Sequence, residues 1–559
     1  MLDEEFCDQS ATNAADHFKV AAALGSALAL AGCGGGGGST GGGATSPTPT
    51  PPTPAGLTPQ QASRFLGQAT NGATRADIDA LIQTGFQNWL DTQLNMPREI
   101  AHWDWLVSAG YSDESFKFVE DGWDRSMWRQ LISAPDQLRQ RVGLALLDML
   151  VVSIQGPDIP WRPFGMSSYM DVLLDNAFGN FRNLLGAIST NCMMAFYLTF
   201  LDNRKSNGQG SQPDENYARE VMQLFTIGLH ELNQDGTEKL GPDGKPIETY
   251  GQTDVSQLAR VFTGLVLASN DTNGPHRFRP PLVMYDAINE TGASTFLGKT
   301  VSGGGMGAIN AALDIIFNHP NVAPFVSKNL IQRLVTSNPS PAYVGRVAAA
   351  FADNGQGVRG DMKAVIRAIL LDSEARDLPF LPDPHAGKLR DPVQRFINWA
   401  RACNARSKSG HWQIGLTSEP SFQLGQSPGR SPSVFNFFSP RYCPPHTAIS
   451  DAGLVAPEFQ ITTEQSVIGY ANFMAWSVND GISDVTADYA DLLPHASDST
   501  ALVDEVNLLL AAGQLSAGTV STIRNAVDSI PFASAAGPDQ RMRIAVMLAL
   551  VSPEYLAQR

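Results

Sequence analysis

The chain has 559 residues, of which 43% are hydrophobic and 17% are charged. This composition is typical of a globular protein with a sizeable core, and it excludes a wholly disordered, collagen-like or coiled-coil chain. Acidic residues number 55 against 39 basic ones, for a formal net charge of -16, so we expect no nucleic acid among the partners of this protein.

A short apolar run, Val20 to Ala31, lies near the N-terminus. It is too short to span a bilayer but has the length of a signal-peptide core. The run ends in Leu30-Ala31-Gly32-Cys33, which resembles a bacterial lipobox, where a signal peptidase cuts before a cysteine that carries acyl chains. We therefore predict a lipoprotein-type signal peptide over residues 1–32 and lipidation of Cys33, which would hold an exported protein on a membrane of the cell envelope, facing the periplasm or the exterior.

The residues before this run do not fit an ordinary export signal, because they contain five acidic side chains and only one basic one, Lys19. A wrongly assigned start codon would account for that charge. The alternative is that the run is a buried helix of the folded body.

A linker is predicted over residues 33–56. Gly34 to Gly38 are consecutive glycines, and Ser46 to Pro54 reads SPTPTPPTP. Glycine-rich chain is a flexible coil and proline-rich chain a stiffer spacer, so this segment reads as a disordered tether between the anchor and a body that begins near Leu57.

Apolar residues beyond Leu57 recur mainly at helical spacing, which predicts a mainly α-helical, multi-helix body over residues 57–559. Thr58-Pro59 and Ser340-Pro341 each combine an N-cap residue with proline at the first helical position. Further helices are predicted from Asp136 to Ser153 and from Asp361 to Leu371.

Two segments depart from the helical pattern. Residues 232–250 contain the turn dipeptides Asp235-Gly236 and Asp243-Gly244 between short polar stretches, which predicts a β-hairpin arm between two helices. Residues 269–305 have little periodicity and read as a long ordered loop.

The cysteine pattern disfavours several cofactors. No C-x-x-C occurs, so a zinc ribbon, a thioredoxin-type pair and c-type haem attachment are not expected. Of the three cysteines in the predicted body, Cys192, Cys403 and Cys443, at most one pair can form a disulfide. A bridge between Cys403 and Cys443 is a conjecture, and the pairing stays open.

Five ordered segments carry a family resemblance. They are PDENYAREVMQLFTIGLHELNQDGT (213–237), TYGQTDVSQLARVFTGL (249–265), NPSPAYVGRVAAAFADNGQGVRGDMKAVIRAILLDSEAR (338–376), GKLRDPVQR (387–395) and SPSVFNFF (431–438). They closely resemble the bacterial DUF1800 family, and the likeness extends from about Leu57 to the C-terminus. The resemblance implies a large, mostly helical, exported bacterial protein without an established activity. Such proteins are often encoded beside an exported sulfatase-like or phosphatase-like protein, which suggests a partner of that kind.

The densest polar cluster lies on the helix predicted to start near Asp214. With 3.6 residues per turn, Glu215 and Arg219 share one face, Glu220 sits beside them, and Asp254 lies on the following helix. One interpretation is a pair of carboxylates for acid–base catalysis or for a divalent cation. The other is a charge network in which Arg219 and Arg260 neutralise these acids. We favour the network, because an arginine among carboxylates takes the place of a metal.

His230 and Glu231 follow that helix and match the start of an H-E-x-x-H zinc motif. Position 234 is Gln, so the second zinc ligand of a zincin is missing. His230 remains a candidate for a catalytic role beside the carboxylates. Two phosphate-loop look-alikes, near Lys299 and near Gly303, lack the required spacing or strand, so no nucleotide motif is predicted.

The motif residues Lys388, Arg390 and Arg395 are interpreted either as a cradle for an anionic substrate or as partners of acids at helix ends. The aromatic side chains around Asn436 read as core packing or as a sugar-stacking surface.

These patterns lead to a working hypothesis of a binding or assembly factor at the cell envelope that acts with an exported partner. No complete catalytic constellation is visible. The alternative is a metal-assisted hydrolase of an envelope or extracellular polymer, acting through Glu215, Glu220, Asp254 and His230.

Overall fold

The computed structural model of the protein describes residues 56–377 and 386–559. The predicted signal peptide, the lipidation site Cys33 and the linker up to residue 55 lie outside the described residues. Residues 57–559 belong to one compact unit.

The prediction of a mainly α-helical body is confirmed, since the described residues contain 22 α-helices. The first half contains α1 (Pro59–Ala69), α2 (Arg75–Asn95), α3 (His102–Ser108), α4 (Asp121–Ser133), α5 (Gln137–Met149), α6 (Arg162–Asn176), α7 (Phe181–Ser189), α8 (Cys192–Tyr197), α9 (Asn216–Gln223), α10 (Gln252–Val261) and α11 (Gly305–Phe317). The second half contains α12 (Val322–Leu334), α13 (Pro341–Ala352), α14 (Met362–Leu371), α15 (Ser373–Arg376), α16 (Pro392–Ala402), α17 (Ala448–Asp451), α18 (Glu464–Asn479), α19 (Ser499–Ala511), α20 (Ala517–Asp528), α21 (Gly537–Leu550) and α22 (Pro553–Leu556).

Helix starts follow from local capping chemistry. The Thr58 hydroxyl accepts from the backbone N–H of Gln61 at 3.2 Å, and the Gln61 amide oxygen accepts from the N–H of Thr58 at 3.0 Å, which forms a capping box. Ser340 caps α13 and Asp361 caps α14 through a side-chain oxygen that accepts from backbone N–H groups of the first turn. The three predicted starts are therefore confirmed.

The helix predicted from Asp136 to Ser153 is shorter than expected, because α5 ends at Met149. Leu150 leaves the helical conformation with φ -105° and ψ 69°. The apolar residues that follow are buried in a non-helical segment, and the N–H of Ile154 donates to the carbonyl of Gly429 at 3.0 Å. The run of apolar residues at the end of the predicted helix therefore reflects burial of this segment and not continuation of the helix.

Four antiparallel pairs of short strands supplement the helices in the described part of the chain. The strands are β1 (Leu265–Val266), β2 (Val283–Met284), β3 (Ser294–Phe296), β4 (Lys299–Val301), β5 (Lys388–Leu389), β6 (Arg406–Ser407), β7 (Val485–Thr486) and β8 (Ala557–Gln558). The pairs are β1–β2, β3–β4, β5–β8 and β6–β7. In the third pair Lys388 lies opposite Gln558 and Leu389 opposite Ala557, so the GKLRDPVQR segment is joined to the last strand.

Residues 229–249 form a turn module of three short antiparallel segments. The N–H of Glu231 donates to Ile247, that of Lys239 to Glu231 and that of Ile247 to Lys239, so each segment bonds to the other two. Gly236 and Gly244 occupy the two turns with φ of 76° and 77°, a conformation that glycine adopts without strain. The two turns lie at the dipeptides that the sequence singles out.

The segment 269–305 contains short ordered elements. They include 3-10 turns at Pro275–Phe278 and Asp286–Ile288, the strand β2 and the hairpin β3–β4. Strand β3 packs against α10, and β4 packs against α11. These short elements have no long apolar periodicity, which is why the sequence reads as a loop.

The core is one continuous cluster of buried side chains that includes Trp103, Trp123, Trp128, Trp161 and Trp399. Helix α12 contributes side chains to this cluster and packs against α13 and α5. In the part of the chain that the structure describes, no helix combines the length and hydrophobicity needed to cross a bilayer.

Two of the body's cysteines are buried. Cys192 and Cys403 are free thiols, so the conjectured bridge between Cys403 and Cys443 is not formed. Burial raises the pKa of the Cys192 thiol to about 12.

Candidate functional site

The acidic side chain that begins α9 is held by three neighbours. The Glu215 carboxylate accepts from Ser256 Oγ at 2.5 Å, from Gln252 Nε2 at 2.7 Å and from Arg219 Nη2 at 3.2 Å. Arg219 Nη2 also donates to Gln252 Oε1 at 3.1 Å. Since Gln252 and Ser256 lie on α10, Glu215 ties α9 to α10.

These contacts fix the ionisation of Glu215. Partial burial opposes the charged form, but the hydrogen bonds from Ser256 and Gln252 and the charge of Arg219 outweigh it, so the pKa of Glu215 is lowered. A carboxylate that stays ionised and fully engaged is suited to holding two helices together.

Glu220, in the next turn of α9, has a different environment. Its Oε2 is buried and has no hydrogen-bond partner among the described residues. Burial raises the pKa of Glu220 to about 7, and the charge of Arg219 opposes this rise only in part. The charge of Glu220 also acts on the phenols of Tyr197 and Tyr250, whose pKa values are raised mainly by burial. A carboxyl group that titrates near neutral pH can take up or release a proton.

Asp254 is engaged by backbone groups. Its Oδ2 accepts from the N–H of Gly251 at 2.8 Å and so caps α10. Its Oδ1 accepts from the N–H of Leu297 at 2.8 Å, which fixes the β3–β4 turn against the helix. Both oxygens therefore serve the fold.

His230 and Arg260 have partners outside the acidic cluster. His230 Nδ1 lies 2.9 Å from Glu238 Oε1, within the turn module. Arg260, in the last turn of α10, donates to Gln257 and lies 3.7 Å from Glu290 Oε1. The expected network is thus present between Arg219 and Glu215, whereas Arg260 pairs with an acid of the following loop.

The four candidate residues consequently do not contact one another, and each has its own environment. Glu215 faces α10, Glu220 has no ion pair among the described residues, Asp254 binds backbone N–H groups, and His230 binds Glu238. Within residues 56–377 and 386–559, no group of three or more His, Cys, Asp or Glu side chains is arranged to hold a metal ion.

A second polar centre, whose residues are far apart in the sequence, lies where α5, α12 and β5 meet. The carbonyl oxygen of Arg333, in the last turn of α12, accepts from Lys388 Nζ at 3.0 Å and from Arg141 Nη2 at 2.9 Å. Asp148 links this centre to Asn436, whose Nδ2 donates to Asp148 Oδ1 at 2.6 Å, while Arg333 Nη2 donates to the Asp148 carbonyl at 3.0 Å. Cations at the end of a helix complement its dipole, so this centre has a structural explanation.

Ionisation in this centre is also perturbed. Burial, with the nearby charge of Asp391, raises the pKa of Asp148 to about 6. Asn436 has a left-handed φ of 64°, uncommon for a residue other than glycine. The signal in the sequence was the pair of motifs GKLRDPVQR and SPSVFNFF, but their contacts with α5 and α12 are non-local.

The basic motif residues do not form an anion cradle on the surface. Arg390 donates to the carbonyl of Tyr555 and lies over its ring, with 5.0 Å to the ring centre. Arg395 Nε donates to the carbonyl of Arg390 at 2.6 Å and lies 5.1 Å from the ring centre of Tyr470. Each guanidinium is buried against neutral partners.

One family model matches nearly the whole body of the chain. Its description is "Protein of unknown function (DUF1800)", and the match covers residues 64–557. Comparison with curated proteins gave no match, and comparison with solved structures gave none either.

Proposed function

The chain belongs to the DUF1800 family of proteins of unknown function, and we propose from its own residues that it is a binding or assembly factor of the cell envelope. In this proposal the protein is exported, is anchored to a membrane by lipid on Cys33, and acts together with an exported partner protein.

The observation that carries this proposal is a set of four exposed apolar side chains on and beside α18, Phe422, Val467, Ile468 and Trp476, which we call the α18 patch. Their exposed fractions are 59%, 52%, 59% and 64%. The backbone at Phe422 lies directly against α18, because a Cβ added at Gly469 would meet the Phe422 nitrogen at 3.0 Å. Grouped exposed apolar side chains, aromatic ones above all, are typical of protein interaction sites.

The use of the acidic side chains supports a binding role over a catalytic one. Glu215 joins α9 to α10, and Asp254 joins α10 to the β3–β4 turn. Both residues therefore hold the scaffold in shape.

The charge of the chain indicates what kind of partner fits. Because the protein is strongly acidic, a complementary surface has an apolar centre for the α18 patch and a basic rim. The family resemblance suggests an exported sulfatase-like or phosphatase-like protein as the bearer of that surface.

The role of the α18 patch is tested by purifying the native lipoprotein together with its bound partner protein. The amount of partner recovered is then compared between the parent protein and its variants. Ile468→Ser with Trp476→Ser should release a stoichiometric partner protein, because the apolar contact is lost. The matched control is Phe118→Ser, which changes another exposed phenylalanine outside the patch. Equal partner recovery in all three proteins would contradict the proposal.

Anchoring has a separate test. Cys33→Ala should move the protein from the membrane fraction to the soluble fraction, since the acylated residue is gone. A Cys33→Ala protein that remains with the membrane would argue against the lipid anchor.

A second candidate function is a metal-assisted hydrolase acting on an envelope or extracellular polymer. The specific observation in its favour is Glu220, whose unpartnered Oε2 and pKa of about 7 suit a proton-transfer group. Metal analysis of the purified mature protein tests the metal-assisted form. A stoichiometric divalent ion that is lost in Glu220→Gln and kept in Glu215→Gln would favour this function over the binding role.

A further inference from the structure

A surface loop over residues 204–213 leads into α9. Its base is closed by one side chain, because Asn203 Oδ1 accepts from the N–H of Asp214 at 2.8 Å and Asn203 Nδ2 donates to the carbonyl of Asp214 at 3.1 Å. Residues 207–212 are all exposed. A loop whose ends are held together in this way is a compact unit, so a chemical change at its tip leaves the base in place.

The tip of this loop contains an asparagine followed by a glycine, Asn207 and Gly208. In such a pair the main-chain nitrogen of the glycine is close to the side-chain carbonyl carbon of the asparagine and can attack it. A Cβ added at Gly208 would meet no atom within 4 Å, so this side of the pair is open to water. Asn207 Nδ2 has no hydrogen-bond partner among the described residues, so no contact retains the side-chain amide.

The side-chain oxygen of Asn207 is held by two backbone groups. Its Oδ1 accepts from the N–H of Gln209 at 2.8 Å and from the N–H of Ser211 at 3.1 Å. This oxygen becomes negatively charged when a nitrogen adds to Cγ, and two N–H donors aimed at it lower the barrier as an oxyanion hole does. The N–H of Gly208 donates to Ser206 Oγ at 3.3 Å, and this exposed hydroxyl can relay the proton to water.

We propose that Asn207 and Gly208 form a self-modification site, at which the folded protein converts Asn207 to an acidic residue. The Gly208 nitrogen forms a bond to Asn207 Cγ and gives its proton to water. The bond between Cγ and Nδ2 then breaks, and the amide takes a proton from water and leaves as ammonia. Water opens the cyclic imide by adding its hydroxyl to either carbonyl carbon and its proton to the nitrogen, which gives aspartate or isoaspartate. Both products add a negative charge to the loop before α9.

Three other asparagines precede a glycine, and the structure disfavours each of them. Asn71 is 4% exposed, so water has little access to it. Asn354 Nδ2 donates to Asp361 Oδ2 at 2.7 Å, which retains the amide that would leave. Asn273 is exposed, but its side-chain oxygen accepts no hydrogen bond among the described residues. Asn207 alone in this set combines exposure, a free amide and two donors on the carbonyl oxygen.

The test is incubation of the full mature protein, folded, in mildly alkaline buffer, followed by peptide mapping with mass spectrometry. Asn207 should be converted about tenfold or more faster than Asn273, because only Asn207 has the two donors. In urea these hydrogen bonds are lost, and all four asparagines should react at similar rates because each precedes a glycine. Folded protein in which Asn207 reacts no faster than Asn273, or a rate ratio that urea leaves unchanged, would overturn the proposal.

Ammonia release gives a second measurement. Asn207→Gln keeps an amide at the exposed position, but its longer side chain would have to close a larger ring, so the early release of ammonia from the folded protein should be largely lost. The matched control is Asn273→Gln, another exposed asparagine before a glycine, which should keep most of the release. Undiminished release from Asn207→Gln would count against the site.

Discussion

Lys388 and Glu458 form a buried ion pair, with 2.9 Å between Nζ and Oε1 and side chains that are 2% and 3% exposed. Lys388 belongs to β5, and Glu458 belongs to a 3-10 turn at Pro457–Ile461. The second carboxylate oxygen, Oε2, has no partner among the described residues. The pair therefore joins two distant segments in an environment that water does not screen.

Removing one charge of this pair should be costly. Glu458→Gln leaves the Lys388 ammonium buried without its counter-charge, so we expect the free energy of unfolding to fall by about 3–5 kcal/mol. Urea denaturation followed by circular dichroism measures the change. The double variant Lys388→Met with Glu458→Leu should recover most of the loss, and a single variant within about 0.5 kcal/mol of the parent protein would show that the pair is dispensable.

Loss of the charge at Glu220 and loss of the charge at Glu215 should change the stability of the protein in opposite directions. Folding raises the pKa of Glu220 from 4.5 to about 7, so its ionisation weakens the folded state progressively as pH rises through this interval. We expect Glu220→Gln to be more stable than the parent protein by about 1–3 kcal/mol at about pH 8 and equal to it near pH 4.5.

Glu215→Gln is the control for that experiment. The pKa of Glu215 is lowered by folding, so its charge stabilises the folded state at neutral pH and this stability is lost on acidification. The variant should be less stable than the parent protein at about pH 8. Changes in the free energy of unfolding that have the same sign in both variants would contradict the contrast between the two environments.

His102 should make the protein sensitive to mild acid. Burial, with the charges of Arg98 and Arg129, lowers the pKa of His102 from 6.5 to about 3, so the unfolded state takes up a proton first as pH falls. Stability that is complete above pH 6.5 is therefore lost between that value and pH 3, by roughly 4 kcal/mol.

Unfolding measured across this interval checks the role of His102. His102→Gln should flatten the pH dependence, because the titrating ring is gone. The control is Ser126→Ala, which removes the hydroxyl 2.6 Å from His102 Nδ1 but leaves the imidazole in place, and which should keep the slope. An unchanged slope in His102→Gln would assign the acid sensitivity to other groups.

The contribution of Arg430 to stability should depend on the planar shape of its guanidinium group as well as on its charge. Its Nε and Nη2 each donate to one oxygen of the Asp124 carboxylate at 2.8 Å, and its side chain is 6% exposed. Lysine cannot make this two-pronged contact, so Arg430→Lys should lower the free energy of unfolding by about 2–4 kcal/mol. Arg279→Lys, at an ion pair with Asp104 where the two side chains are 59% and 51% exposed, should change it by no more than about 0.5 kcal/mol, and equal losses would contradict the argument.

Capping chemistry is local, and this explains which parts of the fold are predictable. A helix start can be predicted where a side-chain hydroxyl or carboxylate accepts a hydrogen bond from a backbone N–H two or three residues ahead, as in Thr58, Ser340 and Asp361. The end of α5 was not predictable in this way, since the apolar residues after Met149 satisfy burial equally well outside a helix.

In the candidate site, too, the local contacts are predictable from the sequence and the non-local ones are not. The contact between Glu215 and Arg219 follows from helical spacing, four residues apart. The burial of Glu220 does not follow from it, and the tyrosines on which the charge of Glu220 acts, Tyr197 and Tyr250, come from other elements. Likewise Arg260 finds Glu290 in a loop whose path the residue pattern does not specify.

The turn module of residues 229–249 leaves and re-enters the body at one place, where the N–H of Thr249 donates to the carbonyl of Leu229 at 2.9 Å. Its far tip, at Gly244, has no atom within 4 Å of an added Cβ. Extra residues grafted at that tip would extend into solvent and leave the flanking helices undisturbed. The tip is accordingly a position where an experimenter can place an epitope tag or a fluorophore without cutting the scaffold.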